Sequence, residues 1–298
     1  MIENFTITNF KCWEVLTLRN LKRINLITGG NMSGKTALLD ALALYQTGHP
    51  QGCLSAIPVA HPSSHPSQIP EYIQGLYHSL DEPINLNGIE FRYPSELIRE
   101  YSFYGRYDQG YTQNRLAVAT GKASRIGSIV SESHSDRVRM EGLMNILADL
   151  LERGVLSEKV QSYLLKRFYL KEIPLAPYKP IKYQYEISQG IIDIVEIAEA
   201  IVWLISFKEV PKMLLIEGLG NGLHHSKIPP LIGLIQQYAL EHDFQVFAST
   251  QSRDTVEHVA TLAGVSLIRT YCKRGKYDAV QFNAETLAAA VETDVELR

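Results

Sequence analysis

The 298 residues are 45% hydrophobic and 20% charged, with a formal net charge of -3, so the chain can fill one sizeable core or two joined lobes. That balance excludes a molecule-wide basic field, and net charge gives no support for nucleic acid as a partner; a surface for it would have to be a local patch. Three scattered cysteines, Cys12, Cys53 and Cys272, form no C-x-x-C pair, which speaks against a disulfide framework or a structural zinc and fits a reducing cytoplasm.

The start has the character of neither a signal peptide nor an anchor. In chain order, "FTITNF" from Phe5 alternates as a strand does, "VLTL" from Val15 continues the β character, and "INLIT" from Ile24 is a compact apolar run entering a glycine turn. Ala37, Leu38, Leu39, Ala41, Leu42 and Leu44 then predict a helix that stops near Gln46. Five prolines and three His-Pro pairs between His49 and Pro70 predict a long surface loop. "IEFRY" and "IREYSFYGRY" read as β and aromatic, and the spacing of Leu143, Met144, Leu147, Leu150 and Leu151 predicts helix from about Asp136 to Leu170. A helix from about Gly190 follows, then strand "MLLI", helix from about Pro230, strand "FQVFA", helix from Thr255, strand "SLIRTY" and a last helix from Ala284. Such alternation implies an α/β fold whose mixed, mainly parallel sheet carries helices on both faces. The most apolar window, "GIIDIVEIAEAIVWLISF", contains Asp193, Glu196 and Glu199, so it reads as a buried helix rather than a membrane span, and no membrane partner is expected.

Gly29-Gly30-Asn31-Met32-Ser33-Gly34-Lys35-Thr36 satisfies G-x-x-x-x-G-K-[ST] between a predicted strand and a predicted helix. Small residues there let successive backbone N–H groups converge on phosphates, helped by the positive end of the following helix. Lys35 would reach the β- and γ-phosphates of ATP, and Thr36 would ligate Mg²⁺.

Together with "FTITNFKCWE" in front and "LLIEGLGNGLHHSK" late, this loop resembles those of ABC-type AAA ATPases of the RecF, SMC and OLD group, in the short form without a coiled-coil arm or Toprim nuclease domain. The likeness covers roughly residues 1–45 and 183–275. It implies one P-loop NTPase domain of the ABC ATPase type over 1–298. Within it, residues 1–48 would form the N-terminal P-loop segment, residues 49–182 an inserted β and helical lobe, and residues 183–298 a C-terminal segment holding the signature and Walker B motifs. The family pattern ends its late strand in an acidic pair before Asn-Gly-Leu-His. Anchoring on Asn221-Gly222-Leu223-His224 puts Glu217 at the first acid, a metal position, and Gly218 at the second, the general-base position. Gly218 cannot serve as a base, and losing one costs roughly 10²–10⁴ in rate; a carboxylate returned to position 218 is therefore expected to restore turnover. A one-residue shift would make Glu217 the base but would leave Ile216 at the metal position. Gln251 follows Thr250 where the family carries a His, and a glutamine donates hydrogen bonds but cannot become cationic near neutral pH. Ser188-Gln189-Gly190 matches the short signature turn, so Ser188 and Gly190 are expected to meet a γ-phosphate bound by a second protomer; a plain helix N-cap is the alternative.

Other features stay open. His224-His225 lacks a second cluster at ligand spacing and reads as structural or as dimer surface. The run containing Arg92, Arg99, Arg106 and Arg115 among aromatics reads as a β-meander or as a stacking surface. Gln109 or Gln113 would be the glutamine near Mg²⁺, and Lys11 lies where relatives carry a basic residue. The resemblance implies an ATP–Mg²⁺-binding cytoplasmic module that forms a homodimer or higher oligomer, or assembles with an effector such as a nuclease or toxin. The bacterial setting would be antiphage defence or genome maintenance, with Glu217 and a degenerate Gln251 as the catalytic remnant. An active RecF-like ATPase and the degenerate half of a heterodimer are the alternatives.

Overall fold

The computed structural model describes residues 1–47, 74–92, 116–120, 136–156, 189–205 and 212–282. The first sheet is antiparallel, with β1 (Phe5–Phe10), β2 (Trp13–Leu18), β4 (Ile84–Leu86) and β5 (Ile89–Phe91) in the order β2-β1-β4-β5. The second contains β3 (Ile24–Thr28), β6 (Leu116–Thr120), β7 (Lys212–Glu217), β8 (Phe244–Ser249), β9 (Val265–Lys273) and β10 (Lys276–Phe282), in the order β10-β9-β3-β8-β7-β6. All neighbours in it pair parallel except β9 with β10, which bears out the mixed, mainly parallel sheet. The helices are α1 (Lys35–Thr47), α2 (Asp136–Glu152), α3 (Gln189–Ile205), α4 (Ile228–Glu241) and α5 (Arg253–Ala260).

Alternating side chains of the parallel strands enter two separate cores, because successive residues of a strand point to opposite faces. Ile27, Met213, Leu215, Phe247 and Ile268 pack toward α1 and the antiparallel sheet. Leu26, Leu214, Ile216, Val246, Ala248 and Leu267 pack toward α2, α3, α4 and α5. Burial on both faces explains why these strands read as continuous apolar runs. Each fully buried large side chain, such as Phe5, Phe10 or Phe247, contributes about 1.5–3 kcal/mol relative to exposure.

Several boundaries differ from the sequence reading. The helix expected to reach Leu170 ends at Glu152: Gly154 takes φ +69° and the amides of Val155 and Leu156 turn back to the Leu150 carbonyl, a glycine stop. Two hairpins are additions to that reading. Asn87-Gly88 joins β4 to β5 and Arg274-Gly275 joins β9 to β10, with all four residues at positive φ, as two-residue turns with the twist of antiparallel strands require. Strand β6 is a further addition; it pairs with β7 from Leu116↔Met213 to Thr120↔Glu217. Within the expected lobe 49–182, the described residues thus supply strands to both sheets and helix α2 to the main core. The loop at His49–Pro70, the Arg and aromatic run after Arg92, Gln109, Gln113, Ser188, Cys53 and the helix from Ala284 lie outside the described residues.

Candidate nucleotide site

The site forms because β3, β8 and β7 are neighbours and parallel, so their carboxyl ends open onto one crevice. β3 delivers residues 29–36, β7 delivers Glu217 and Gly218, and β8 delivers Thr250 and Gln251. Thr250 N donates to the Ile27 carbonyl at 2.9 Å and Leu219 N to the Ser249 carbonyl at 2.8 Å, locking the three ends together.

The phosphate loop is held from below by packing that only glycine permits. Gly29 has φ +142°, and a Cβ there would lie 2.2 Å from the Thr270 carbonyl oxygen. At Gly34, with φ +96°, a Cβ would lie 2.6 Å from Trp13 Cζ2. Ser33 Oγ bonds Thr270 Oγ1 at 2.8 Å, and Thr270 Oγ1 donates to the Thr28 carbonyl at 3.1 Å. Gly30 instead faces open space. Lys35 Nζ donates to the Gly29 and Gly30 carbonyls at 2.8 and 2.6 Å. Burial pushes the Lys35 pKa down, opposed by the Glu217 carboxylate.

Thr36 and Glu217, 181 residues apart, meet: Thr36 Oγ1 donates to Glu217 Oε1 at 2.7 Å. A hydroxyl beside a carboxylate at the foot of a phosphate loop is an oxygen donor set that suits Mg²⁺, which keeps its remaining ligands as water and phosphate. The residues present therefore fit ATP–Mg²⁺. Gln251 Nε2 donates to Asn31 Oδ1 at 2.9 Å, placing the glutamine over the loop tip. Met32 is 87% exposed there.

These groups line a cleft of about 600 Å³. Its walls include residues that the motifs did not single out as site residues: Asp193 from α3, Asn221, and Cys12 with Tyr277. Tyr277 packs edge-on against Trp13, ring centroids 6.0 Å apart. Burial pushes the Cys12 thiol up to about 11. In the sequence Asp193 stands only as a charge interrupting an apolar helix; its position three residues after Gly190 is the one signal that could have drawn attention to it.

Gly218 departs from a simple missing acid. Its φ is +81°, a Cβ would come 2.8 Å from Asn221 Nδ2, and its N–H donates to Ser249 Oγ at 3.1 Å. The Asn221 amide stands where a residue-218 side chain would begin, so the simple return of a carboxylate expected from the motif is opposed by the backbone. Gly190, at the start of α3, is buried against the turn that follows β7, with Gly222 O 2.8 Å and Leu223 Cδ2 2.6 Å from where its Cβ would be. Lys11 pairs with the buried Asp40 of α1, and His224 accepts from Ser226 N as the cap of a short 3₁₀ turn.

The AAA domain family matches residues 4–70, the segment holding β1 to α1. A search of curated proteins returned no match. Among solved structures, the chain is similar to an Smc head domain with an extended coiled coil bound to the C-terminal domain of ScpA, from Pyrococcus furiosus, at 14% identity and TM-score 0.50, covering 98% of this chain and 99% of that one. It is also similar to the SMC head domain from Thermotoga maritima, at 14% identity and TM-score 0.48 over 94% and 98% of the two chains. A third is cbiO1 from Clostridium perfringens, part of the ABC transporter complex cbiONQ, at 14% identity and TM-score 0.48 over 99% and 94%. The fold is that of ABC-type P-loop ATPases, and the resemblance to ABC-type AAA ATPases of the RecF and SMC kind is borne out. Among the described residues no helix is long and apolar enough to cross a membrane.

Proposed function

We propose that this chain is an ATP–Mg²⁺-binding ABC-type module that acts as a nucleotide-dependent switch for dimerisation or partner assembly, with slow or absent hydrolysis. The observation that carries the reading is the contrast within one cleft. Lys35, Thr36 and Glu217 are assembled for phosphate and metal, whereas Gly218 holds a left-handed turn without a carboxylate.

The steps that the motif residues carry are binding and orientation. Lys35 exchanges its bonds to the loop carbonyls for the β- and γ-phosphates, and the backbone amides of residues 30–36 surround them. Thr36 and Glu217 would hold Mg²⁺, which supplies charge neutralisation across the β- and γ-oxygens. Gln251, bonded to Asn31 at the loop tip, would offer the γ-phosphate a neutral donor. A γ-phosphate held between Lys35 and Gln251 changes the charge and shape of the exposed loop around Met32, the kind of local change that biases assembly without cleavage. Ser188 and Gly190 of a second protomer would complete the site; the burial of Gly190 against Gly222 and Leu223 ties the start of α3 to the loop after Glu217.

The partner is a second copy of this chain or a separate effector such as a nuclease or toxin. The cytoplasm and a role in bacterial antiphage defence or genome maintenance follow from the motif resemblance alone. Sedimentation velocity with ATP, ADP and no nucleotide, in wild type, Lys35→Ala and Ser188→Arg, tests the switch. ATP should raise the sedimenting mass of wild type only. An oligomeric state indifferent to nucleotide in the presence of a candidate effector as well would overturn the proposal.

A further inference from the structure

The cleft that holds Gly218, where the motif has lost an acid, is also lined by a carboxylate from another element. Asp193 lies on α3, and it lines the large cleft together with Thr36, Glu217, Gly218 and Asn221. The same four residues Asp193, Glu217, Gly218 and Asn221 also line the narrow recess that continues from it under the β7 end. Asp193 is half-buried while the flanking Ile194 and Ile197 are in the core, so the helix packs its apolar side on the sheet and leaves this acid on the cleft side. The turn after Glu217 makes room for it. Gly218 at φ +81° presents no side chain, and the Asn221 amide, not a carboxylate, fills the adjacent space.

We infer that Asp193 replaces the absent acid of position 218, holding and deprotonating the water that attacks the γ-phosphorus. This rests on the reading of the cleft as an ATP site and gives its slow hydrolysis a residue. The water oxygen forms the new bond to phosphorus as the bond to the β,γ-bridging oxygen breaks. Its proton passes to the Asp193 carboxylate and from there to solvent, leaving ADP and inorganic phosphate. No oxidant or other co-reactant is needed. Asn221, whose amide nitrogen stands 2.8 Å from where a Gly218 Cβ would be and which lines the same cleft, would donate to the same water. A carboxylate carried on a separate helix depends on the packing of α3 for its distance to the water, and a small misplacement there lowers the rate steeply. Slow rather than absent turnover is the consequence.

Two readouts separate this role from a structural one. Turnover of purified protein is measured beside Lys35→Ala, and the affinity for a non-hydrolysable ATP analogue is measured by calorimetry. Retention of ADP by fluoroaluminate, which mimics the phosphorus with its attacking water in place, gives a readout independent of turnover. Asp193→Asn should lower kcat by at least about 10²-fold, within the roughly 10²–10⁴ expected for a general base. It should weaken ADP–fluoroaluminate retention by a similar factor and leave analogue affinity within about threefold, as an interaction made only in the transition state does. Wild-type turnover that is Lys35-dependent yet unchanged in Asp193→Asn would overturn the inference alone. So would wild-type protein that binds ATP through Lys35 and shows no turnover. Equal loss of analogue affinity and of fluoroaluminate retention would make Asp193 a binding or folding residue and overturn it as well. Analogue binding that survives Lys35→Ala would overturn the ATP site and the inference together.

Discussion

Replacing Gly218 by alanine should destabilise the protein by about 0.5–3 kcal/mol, although it adds only a methyl group. The residue sits at φ +81°, where an L-residue costs roughly 1–2 kcal/mol. The new Cβ would stand 2.8 Å from Asn221 Nδ2, so the amide must rotate away, at about 0.5–1.5 kcal/mol if it leaves its rotamer well. The reduced freedom of the unfolded chain returns about 0.4–1 kcal/mol. Urea unfolding followed by tryptophan fluorescence measures the difference, with Gly30→Ala as the control, since Gly30 has nothing within 4 Å of a Cβ and no positive φ. That control should stay within about 0.5 kcal/mol of wild type. Adding Asn221→Ala to Gly218→Ala should recover the contact component and not the backbone component. Equal midpoints for Gly218→Ala and Gly30→Ala would refute the reasoning. The same strain bears on catalysis: Gly218→Glu alone should leave ATP turnover within a few-fold of wild type, because its carboxylate starts from a displaced backbone.

Gly29→Ala should do more damage than any other loop glycine change, since its Cβ would press on the β9 backbone at Thr270; expression as soluble folded protein, checked by circular dichroism, is expected to fall sharply. Thr36→Ala should weaken ATP binding in Mg²⁺ and leave binding in EDTA nearly unchanged; equal losses in calorimetry would remove Thr36 from the metal site. Asp40→Ala removes a fully buried carboxylate from Lys11, whose side chain keeps some exposure, and should cost about 1–3 kcal/mol in denaturation. Because burial raises the Cys12 pKa to about 11, its thiolate is scarce at neutral pH and grows as pH rises. Alkylation read by site-resolved mass spectrometry should therefore be slow at pH 7 and accelerate toward pH 10, and bound ATP should slow it further because Cys12 lines the cleft.

The phosphate loop is legible residue by residue because its chemistry is local: backbone amides, one cation and one hydroxyl within eight consecutive positions. The central strands are legible because burial on both faces leaves unbroken apolar runs such as "INLIT" and "FQVFAS". The edge strands of the larger sheet are not. β6 and β10 close the sheet's two ends, and β10 alternates exposed and half-buried residues, so its pattern carries little apolar signal. The hairpin at Asn87-Gly88 does have a local signal, its turn dipeptide, which the aromatic stretch that follows overshadows. Other features belong to no window of sequence at all. Thr36 meets Glu217 only because β3, β8 and β7 lie side by side in register. Gly218 reads as a lost acid in the motif, but its left-handed φ and the Asn221 amide against it follow from the turn that leaves β7. Asp193 reads as a blemish on an apolar helix until the packing of α3 turns it toward the cleft. Sequence periodicity determines which face of a helix is buried; what stands opposite the remaining charge is decided by the neighbours that the tertiary fold supplies.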